Sequence, residues 1–175
     1  MALPTDDVKN WMHMFRWIVK VIRDEYEVDE TILTRSAVLE SDLVIAGPVT
    51  AILHAASSAQ DTDWVVRLCD VWPDGRSLSV CDGILRGRYR ESLSQPTLLT
   101  PDQVYQFRVD MWSTAQVFKA GHRLRIHVTS SDFPRYDRNL NTGGPLGTES
   151  RSAVAVNTVF HDAMRASHLS LPVLP

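Results

Sequence analysis

Apolar and polar residues alternate most regularly just after Lys119-Ala120-Gly121, a tripeptide that is typical of a turn. A period of two is the pattern of a strand with one buried face and one solvated face. We therefore predict a strand over 122–128. Its apolar side carries Leu124, Ile126 and Val128, and its polar side carries Arg123, Arg125 and His127.

The alternation stops at Ser130, where a predicted loop begins that is dense in hydrogen-bonding groups and holds two aromatic residues. Loops at strand ends often carry the function of a β-sandwich. This loop either binds a ligand or only holds its own shape. If it binds a ligand, the candidate binding residues are Asp132, Arg135, Tyr136, Asp137 and Asn139.

Residues 1–30 have a different, helical period. Apolar side chains recur there every three or four residues, which predicts an amphipathic helix. The apolar arc is too broad to be buried by one surface, so the helix either packs on its own domain or contacts another subunit in a homo-oligomer. The residues predicted to face a partner are Trp11, Phe15, Ile18 and Ile22.

From Thr31 onward the helical period is lost, and short strand-like runs alternate with turn signals. Many short strands with little helix predict a mainly β fold, an antiparallel jelly-roll β-sandwich over 31–175. A bulge or bend is expected at Asp82-Gly83. The other predicted strands cover 43–46, 49–55, 63–71, 77–80, 84–90, 103–111, 153–161 and 168–173, and residues 113–118 lead into the strand over 122–128.

The composition is that of one globular domain, with 175 residues of which 44% are hydrophobic and 22% charged. The net charge of −3 provides no basic surface for nucleic acid or an anionic membrane. No apolar run approaches the ~18 residues that a membrane span needs. Asp6 and Asp7 stand where a signal peptide would be basic. We therefore expect a cytoplasmic domain with no nucleic-acid or membrane partner.

The two cysteines, Cys69 and Cys81, lie on the two arms of a predicted hairpin around Pro73-Asp74-Gly75. A two-residue turn would place them on opposite faces of the sheet, whereas a three-residue turn would place them directly across from each other. The sequence leaves both registers open. In a cytosolic protein free thiols are the default.

Motifs for catalysis or metal binding are weak. The sequence has no Gly-x-Ser-x-Gly turn of the kind that presents a hydrolase nucleophile. Asp137, Asn139 and Asn141 are spaced as in a calcium-binding loop, but Thr142 and Thr148 replace the glycine and the glutamate that such a loop requires. We predict no catalytic residue, no metal site and no cofactor, with a looser calcium site over 137–141 as the alternative.

Charged residues cluster between 61 and 90. They could form a polar binding face, but such groups more often satisfy one another and nearby backbone and hold loops in register, which is the interpretation that we favour. The members of this charged belt are Asp61, Asp63, Asp70, Asp82, Arg86, Arg88 and Arg90.

Seven segments together point to a family: 61–64 (DTDW), 70–76 (DVWPDGR), 82–90 (DGILRGRYR), 120–125 (AGHRLR), 130–139 (SSDFPRYDRN), 141–143 (NTG) and 167–172 (SHLSLP). They closely resemble the C-terminal domain of the X-Pro dipeptidyl-peptidase and cocaine esterase family of serine hydrolases, over about 38–175. The resemblance implies a jelly-roll sandwich similar to galactose-binding-like folds. In full-length members this sandwich packs against an α/β-hydrolase domain that carries the catalytic serine, aspartate and histidine. None of those catalytic motifs is matched here.

The sequence therefore predicts a non-catalytic sandwich domain that packs against an α/β-hydrolase domain or subunit, or completes its pocket. The helix of residues 1–30 would then cover the sandwich face that meets the hydrolase. The alternative is a free-standing carbohydrate- or peptide-binding module that uses the loop at 130–141. A small enzyme with an unrecognised site is a third hypothesis. Aromatic side chains that could stack on sugar rings are Trp64, Trp72, Trp112, Phe133 and Tyr136, although a single tryptophan in a strand is more often part of the core.

Overall fold

The computed structural model describes residues 33–174, which form two antiparallel sheets around a shared hydrophobic core. The predicted mainly β sandwich is thereby confirmed. The helix predicted over 1–30, with its partner-facing residues Trp11, Phe15, Ile18 and Ile22, lies outside the described residues. Across the residues that are described, no helix is long and apolar enough to cross a membrane.

The strands are β1 (Leu33–Arg35), β2 (Leu43–Ser57), β3 (Asp63–Val71), β4 (Ser77–Arg86), β5 (Tyr105–Phe118), β6 (Arg123–Thr129), β7 (Asn157–Phe160) and β8 (His168–Ser170), and a 3₁₀ turn, η1 (Gly87–Tyr89), follows β4. The first sheet has the order β1-β6-β3-β4. The second has the order β5-β2-β7, and β8 pairs with a different part of β2. All of these pairs are antiparallel.

The core lies between the two sheets because alternate residues of each strand point inward. Trp64 of β3 and Phe107 of β5 meet there, with ring centroids 5.3 Å apart. The predicted inner face of β6 is confirmed, since Leu124, Ile126 and Val128 pack in or against this core. The other buried members include Ile45, Val49, Ala51, Leu53, Val66, Leu68, Val109, Met111 and Phe118.

The predicted solvated face of β6 is wrong in part, because Arg123, Arg125 and His127 are half-buried. The residues of β3 on the same outer face include Cys69 and Val71, which are buried. The outer face of the first sheet is therefore partly shielded from solvent along β3 and β6.

The strands predicted over 43–46 and 49–55 are one strand, because β2 continues through Gly47 and Pro48. The strand predicted over 103–111 also continues further than expected, because β5 runs on through residues 112–118. One extra residue in β5, at Met111-Trp112, faces Val49 of β2 and forms a bulge in which Trp112 has a φ of +64°. The sequence predicted a break where the pairing only shifts by one residue.

The prediction of a bulge at Asp82-Gly83 is also wrong. The pairing of β3 and β4 shifts earlier, between Leu68–Cys81 and Cys69–Ser79, which leaves Val80 as the extra residue. Gly83 pairs in register with Val66, so the glycine is not needed for a bulge but for close packing. A Cβ at this position would overlap the carbonyl group of Asp110, whose carbon would be 2.8 Å away. Gly83 therefore lets β4 approach β5 closely and bring the edges of the two sheets together.

The predicted strand over 84–90 ends at Arg86, and η1 takes the chain out of the sheet. The two closing strands are also shorter than predicted, at Asn157–Phe160 and His168–Ser170. The hairpin between β3 and β4 has five residues in its loop, since Val71 pairs with Ser77. With the bulge at Val80, Cys69 faces Ser79 and Cys81 faces Leu68, so the two thiols lie on opposite faces and are free.

Candidate functional site

The loop predicted to carry function leaves the end of β6 and folds back over β3, β4 and η1. Its first turn is closed by hydrogen bonds from the backbone N–H groups of Arg135 and Tyr136 to the carbonyl oxygen of Asp132. The Phe133–Pro134 peptide bond is cis. We refer to residues 130–144 as the anchored loop, because three polar clusters attach it to the first sheet and to η1.

The first cluster joins the start of the anchored loop to the middle of the first sheet. Arg135 Nη1 donates to both carboxylate oxygens of Asp82, at 2.8 and 2.7 Å. Arg67 Nη2 lies 3.2 Å from Asp82 Oδ2 and 3.3 Å from Asp132 Oδ1, so it bridges the two acids. The hydrogen bonds from Asp82 raise the pKa of Arg135, which keeps this guanidinium charged.

The second cluster attaches the middle of the loop at the end of β4. Arg86 forms a two-pronged ion pair with Asp63, with lengths of 2.8 Å and 3.0 Å, and also donates to the carbonyl oxygen of Asp137 at 3.1 Å. Asn139 Nδ2 donates to Asp63 Oδ1 at 2.8 Å. The hydrogen bonds to Asp63 raise the pKa of Arg86. A planar guanidinium matches a carboxylate geometrically, so this pair fixes orientation as well as distance.

The third cluster is the most buried one. Arg88 donates from its backbone N–H to Asp61 Oδ1 at 2.9 Å and from Nε to Asp61 Oδ2 at 2.7 Å. Its Nη1 reaches the carbonyl oxygen of Gly144 at 3.0 Å, and Asn139 also donates to Asp61 at 3.0 Å. The side chain of Asp61 is 0% exposed and that of Arg88 is 9% exposed. Every polar contact of this pair is therefore made inside the protein.

The charged belt from the sequence thus pairs as predicted at two points, Asp61 with Arg88 and Asp63 with Arg86. Arg90 donates to backbone carbonyls nearby, which was also predicted. Asp82 instead binds two arginines outside the belt, Arg67 and Arg135. Sequence reasoning missed Arg67, whose only signal was a charge within the apolar run from Trp64 to Cys69.

The side chains of four of the five predicted binding residues make contacts within the chain. Asp132 and Arg135 belong to the first cluster, and Asn139 bridges Asp61 and Asp63. Arg135 also lies over the ring of Tyr136, 5.2 Å from its centroid. The side chain of Asp137 is exposed, and only its backbone carbonyl takes part in the second cluster. The structure therefore brings these residues together around one loop and uses most of their polar groups to hold it.

The outward side of the anchored loop presents other groups to solvent. Phe133 is 46% exposed, and Arg138 lies over its ring, 5.1 Å from the centroid. Pro134 beside them is exposed as well. A rigid loop that holds its polar groups inward and an aromatic and a cation outward is suited to contact another protein surface, because little freedom is left to lose on binding.

An imidazole and a carboxylate meet at one other place. His122 Nδ1 lies 2.8 Å from Asp70 Oδ1, and both residues are buried. The ring of His122 also packs against Trp72, with centroids 5.1 Å apart. Among the hydrogen bonds within 33–174, none joins His122 to a serine hydroxyl, so the pair there lacks the third member of a hydrolytic triad.

Two of the three residues of the alternative calcium site, Asn139 and Asn141, make side-chain hydrogen bonds within the chain. Asn139 Oδ1 accepts from the backbone N–H of Asn141 at 2.9 Å, and Asn141 Nδ2 donates to the carbonyl of Ala153 at 3.0 Å. No group of three or more His, Cys, Asp or Glu side chains with metal-binding geometry occurs in the described part of the chain.

Comparison with known proteins gives a consistent result. Residues 13–170 match the family described as the X-Pro dipeptidyl-peptidase C-terminal non-catalytic domain. The chain is 42% identical over 154 residues to cocaine esterase from Rhodococcus sp. strain MB1 Bresler, a match that covers 87% of this chain and 27% of that protein. The family resemblance seen in the sequence is thus confirmed.

Two solved structures also resemble the chain. An aminopeptidase from a marine sediment archaeon, Thaumarchaeota archaeon, superposes with a TM-score of 0.79 at 30% identity, over 91% of this chain and 28% of that one. An α-amino acid ester hydrolase superposes with a TM-score of 0.79 at 35% identity, over 90% of this chain and 28% of that one. The chain therefore spans little more than a quarter of the length of the proteins that it matches.

Proposed function

The chain belongs to the family of X-Pro dipeptidyl-peptidase C-terminal non-catalytic domains, and from this premise we propose that it packs against an α/β-hydrolase domain or subunit and supports that partner's hydrolysis of acyl bonds. The strand arrangement is then a jelly roll similar to galactose-binding-like folds. The match over 13–170 carries the proposal. It agrees with the names of the relatives, which are an esterase, an aminopeptidase and an ester hydrolase, and with their much greater length.

The anchored loop is the surface that we propose for this contact. Its polar groups are held by Arg67, Arg86 and Arg88, and Phe133 and Arg138 face outward. Aromatic residues and arginine are the side chains most enriched at the energetic centre of protein interfaces. The partner surface should accordingly offer an apolar recess and a carboxylate.

The experiment is a co-purification of the tagged chain with an α/β-hydrolase polypeptide that lacks its own sandwich. The partner of first choice is one encoded beside this chain, and the second is the hydrolase part of the Rhodococcus cocaine esterase. We expect a stable complex and faster hydrolysis of a small aryl ester. Phe133→Ala and Arg138→Ala should each weaken the complex about tenfold or more, as is typical of a residue at an interface centre.

Met164→Ala is the matched control, because Met164 is also exposed but belongs to the connection between β7 and β8 and not to the anchored loop. It should bind like the unchanged chain. Failure of both hydrolases to co-purify would refute the proposal, and equal loss in all three variants would refute the assigned surface.

The free-standing binding module is less well supported. Tyr136 is half-buried with Arg135 over its ring, so a sugar would have to displace that contact in order to stack there. Binding of a glycan or peptide that disappears in Tyr136→Ala would favour this alternative.

A further inference from the structure

The outer face of the first sheet carries a row of positive side chains. Alternate residues of β6 point away from the core there, and a residue of β3 lies directly opposite the last of them. We define the basic row as Arg123, Arg125 and His127 of β6 and Arg67 of β3. All four are half-buried. The row therefore concentrates three guanidinium groups and an imidazole where water solvates them only in part.

Carboxylates already bind the basic row at its Arg67 end. Asp82 and Asp132 both accept hydrogen bonds from Arg67, at 3.2 and 3.3 Å. Burial lowers the pKa of His127, and the guanidinium groups of Arg125 and Arg67 lower it further. The electrostatic potential along the row is therefore positive, which favours the approach of a negatively charged group.

Two buried atoms of the row also point to a missing acceptor. Within residues 33–174, neither Arg67 Nε nor His127 Nε2 has a hydrogen-bond partner. Arg67 Nε always carries a proton and His127 Nε2 carries one in one of its tautomers, so both can donate. Buried donors are normally satisfied, and these two belong to residues that pair directly across β3 and β6. A carboxylate, with two acceptor oxygens, is suited to receive both.

A segment of matching charge comes just before this face along the chain. Residues 24–30, Asp-Glu-Tyr-Glu-Val-Asp-Glu, hold five carboxylates in seven positions, and we call them the acidic segment. They lie outside the described residues, but the described chain begins at Leu33, which pairs with His127 of the basic row. Three residues span at most about 10 Å and neighbouring strands are about 4.8 Å apart, so the end of the acidic segment can reach both β6 and β3.

We propose that the acidic segment folds back across the outer face of the first sheet and docks on the basic row of the same chain. Because β1 is antiparallel to β6, the chain has to reverse its direction before Leu33. Glu30 would then lie at the His127 end of the row and Asp24 toward Arg123. In extended form the segment is about 20 Å long, which exceeds the roughly 13 Å that separate the two ends of the row along β6.

The short connection favours this occupant over a separate acidic partner. A group that is tethered through a few residues has an effective concentration on the order of millimolar at its site. A separate protein would have to reach that concentration, or bind correspondingly more tightly, in order to displace it. The basic row would thus be covered before any partner binds.

The first test is carbodiimide coupling in the full chain that carries Arg125→Lys. This reagent joins an amine only to a carboxylate in direct contact, so we expect a covalent link between position 125 and residues 24–30, identified by peptide mass spectrometry. Arg108→Lys is the matched control, because Arg108 is exposed on β5 of the other sheet, and it should form no link to the acidic segment. Mixing isotopically labelled and unlabelled chains should give links within one isotope class only.

The second test is amide hydrogen exchange of residues 24–30. The variant Glu25→Gln, Glu27→Gln, Asp29→Asn should lower their protection factors at least fivefold relative to the unchanged chain, because it removes three of the five charges. About 0.5 M sodium chloride should lower the protection of the unchanged chain as well, since salt screens such contacts. The variant Asp6→Asn, Asp7→Asn is the control, and it should leave the protection as it is.

An acidic segment that exchanges without protection in the unchanged chain would overturn the proposal. Equal links in the Arg125→Lys and Arg108→Lys variants would do so too. Links that form only between labelled and unlabelled chains would assign the row to a second copy instead. A row that becomes protected only when a hydrolase polypeptide is added would assign it to that partner. The supporting outcomes are obtained with the isolated chain, so they are independent of the proposed function.

Discussion

Replacing Arg88 by methionine should destabilise the domain strongly, because it leaves the carboxylate of Asp61 charged and buried. Methionine keeps most of the side-chain volume and the backbone N–H bond to Asp61 Oδ1. It removes the 2.7 Å bond from Nε to Oδ2 and the 3.0 Å bond from Nη1 to the carbonyl of Gly144. Asn139 remains as a donor to Asp61 and limits the damage.

The size of the effect follows from these contacts. A hydrogen bond to a charged group contributes about 1.5–3 kcal/mol, and an unsatisfied buried carbonyl costs about 1–3 kcal/mol. Removal of one partner from a buried ion pair typically costs about 3–5 kcal/mol in total. We expect a loss in the free energy of unfolding of about 3–5 kcal/mol, which for a chain of this length lowers Tm by roughly 6–20 °C.

Urea denaturation followed by tryptophan fluorescence and circular dichroism measures this loss. Arg76→Met is the matched control, since Arg76 pairs with Asp74 at 2.7 Å but both side chains are more than half exposed. Solvent screening reduces such a pair to about 0–1 kcal/mol. The double variant Asp61→Asn, Arg88→Met should lose less than the sum of the two single losses, because neither charge is then left alone.

A loss below about 1 kcal/mol for Arg88→Met, or one equal to that of Arg76→Met, would refute the reasoning, since buried and exposed pairs would then be equivalent. Purely additive single losses would show that the two side chains do not act as a pair.

Three further predictions concern other parts of the domain. Gly83→Ala should lower the free energy of unfolding, measured in urea, by about 2–3 kcal/mol, because the added methyl group overlaps the Asp110 carbonyl. Ser79→Ala on the same strand should lower it little. Equal losses in the two variants would contradict the close approach of β4 to β5. Asp82→Asn should speed hydrogen exchange of the anchored loop with a small loss of stability, unlike Asp74→Asn, and unchanged exchange would argue against the first cluster. Burial raises the pKa of Cys81 to about 11, whereas the thiol of the unfolded chain ionises near 9. The stability that Cys81 contributes should therefore be present below pH 9 and be lost as the pH rises from about 9 to 11. Cys81→Ala should flatten the plot of unfolding free energy against pH in this range, relative to the unchanged chain.

The sequence predicted those features of the fold that depend on residues close to one another along the chain. Strand β3 was found at Asp63–Val71, and the inner face of β6 was found from its alternation, because a buried face imposes a period of two. The motifs around the anchored loop led to the correct family. The turn at Gly121 was also predicted, because a turn with a φ of +85° favours glycine and this preference is visible in the local sequence.

The errors arise where distant segments meet. Asp82-Gly83 looks like a bend in sequence, but Gly83 is set by the backbone of β5 that approaches from the other sheet. The charged belt was recognised as a group, yet its pairing could not be predicted, since Asp82 binds Arg135 across 53 positions. The bulge at Val80 shifts the register by one residue, and no turn signal in the hairpin reveals it.

The spacing of the anchored loop along the chain also bears on the order in which the domain is built. Asn139 finds Asp61 and Asp63 across 78 and 76 positions, and Arg67 finds Asp132 across 65. Asp61, Asp63 and Arg67 all precede the anchored loop in the chain, so the loop can form these hydrogen bonds only after they have been synthesised. Contacts between residues so far apart in sequence form late in folding, because closing the intervening chain costs conformational entropy before the contact can stabilise it. The anchored loop, which we expect to contact a hydrolase, would therefore become ordered only after the rest of the sandwich has folded. A misfolded copy would then lack the ordered surface that binds the hydrolase.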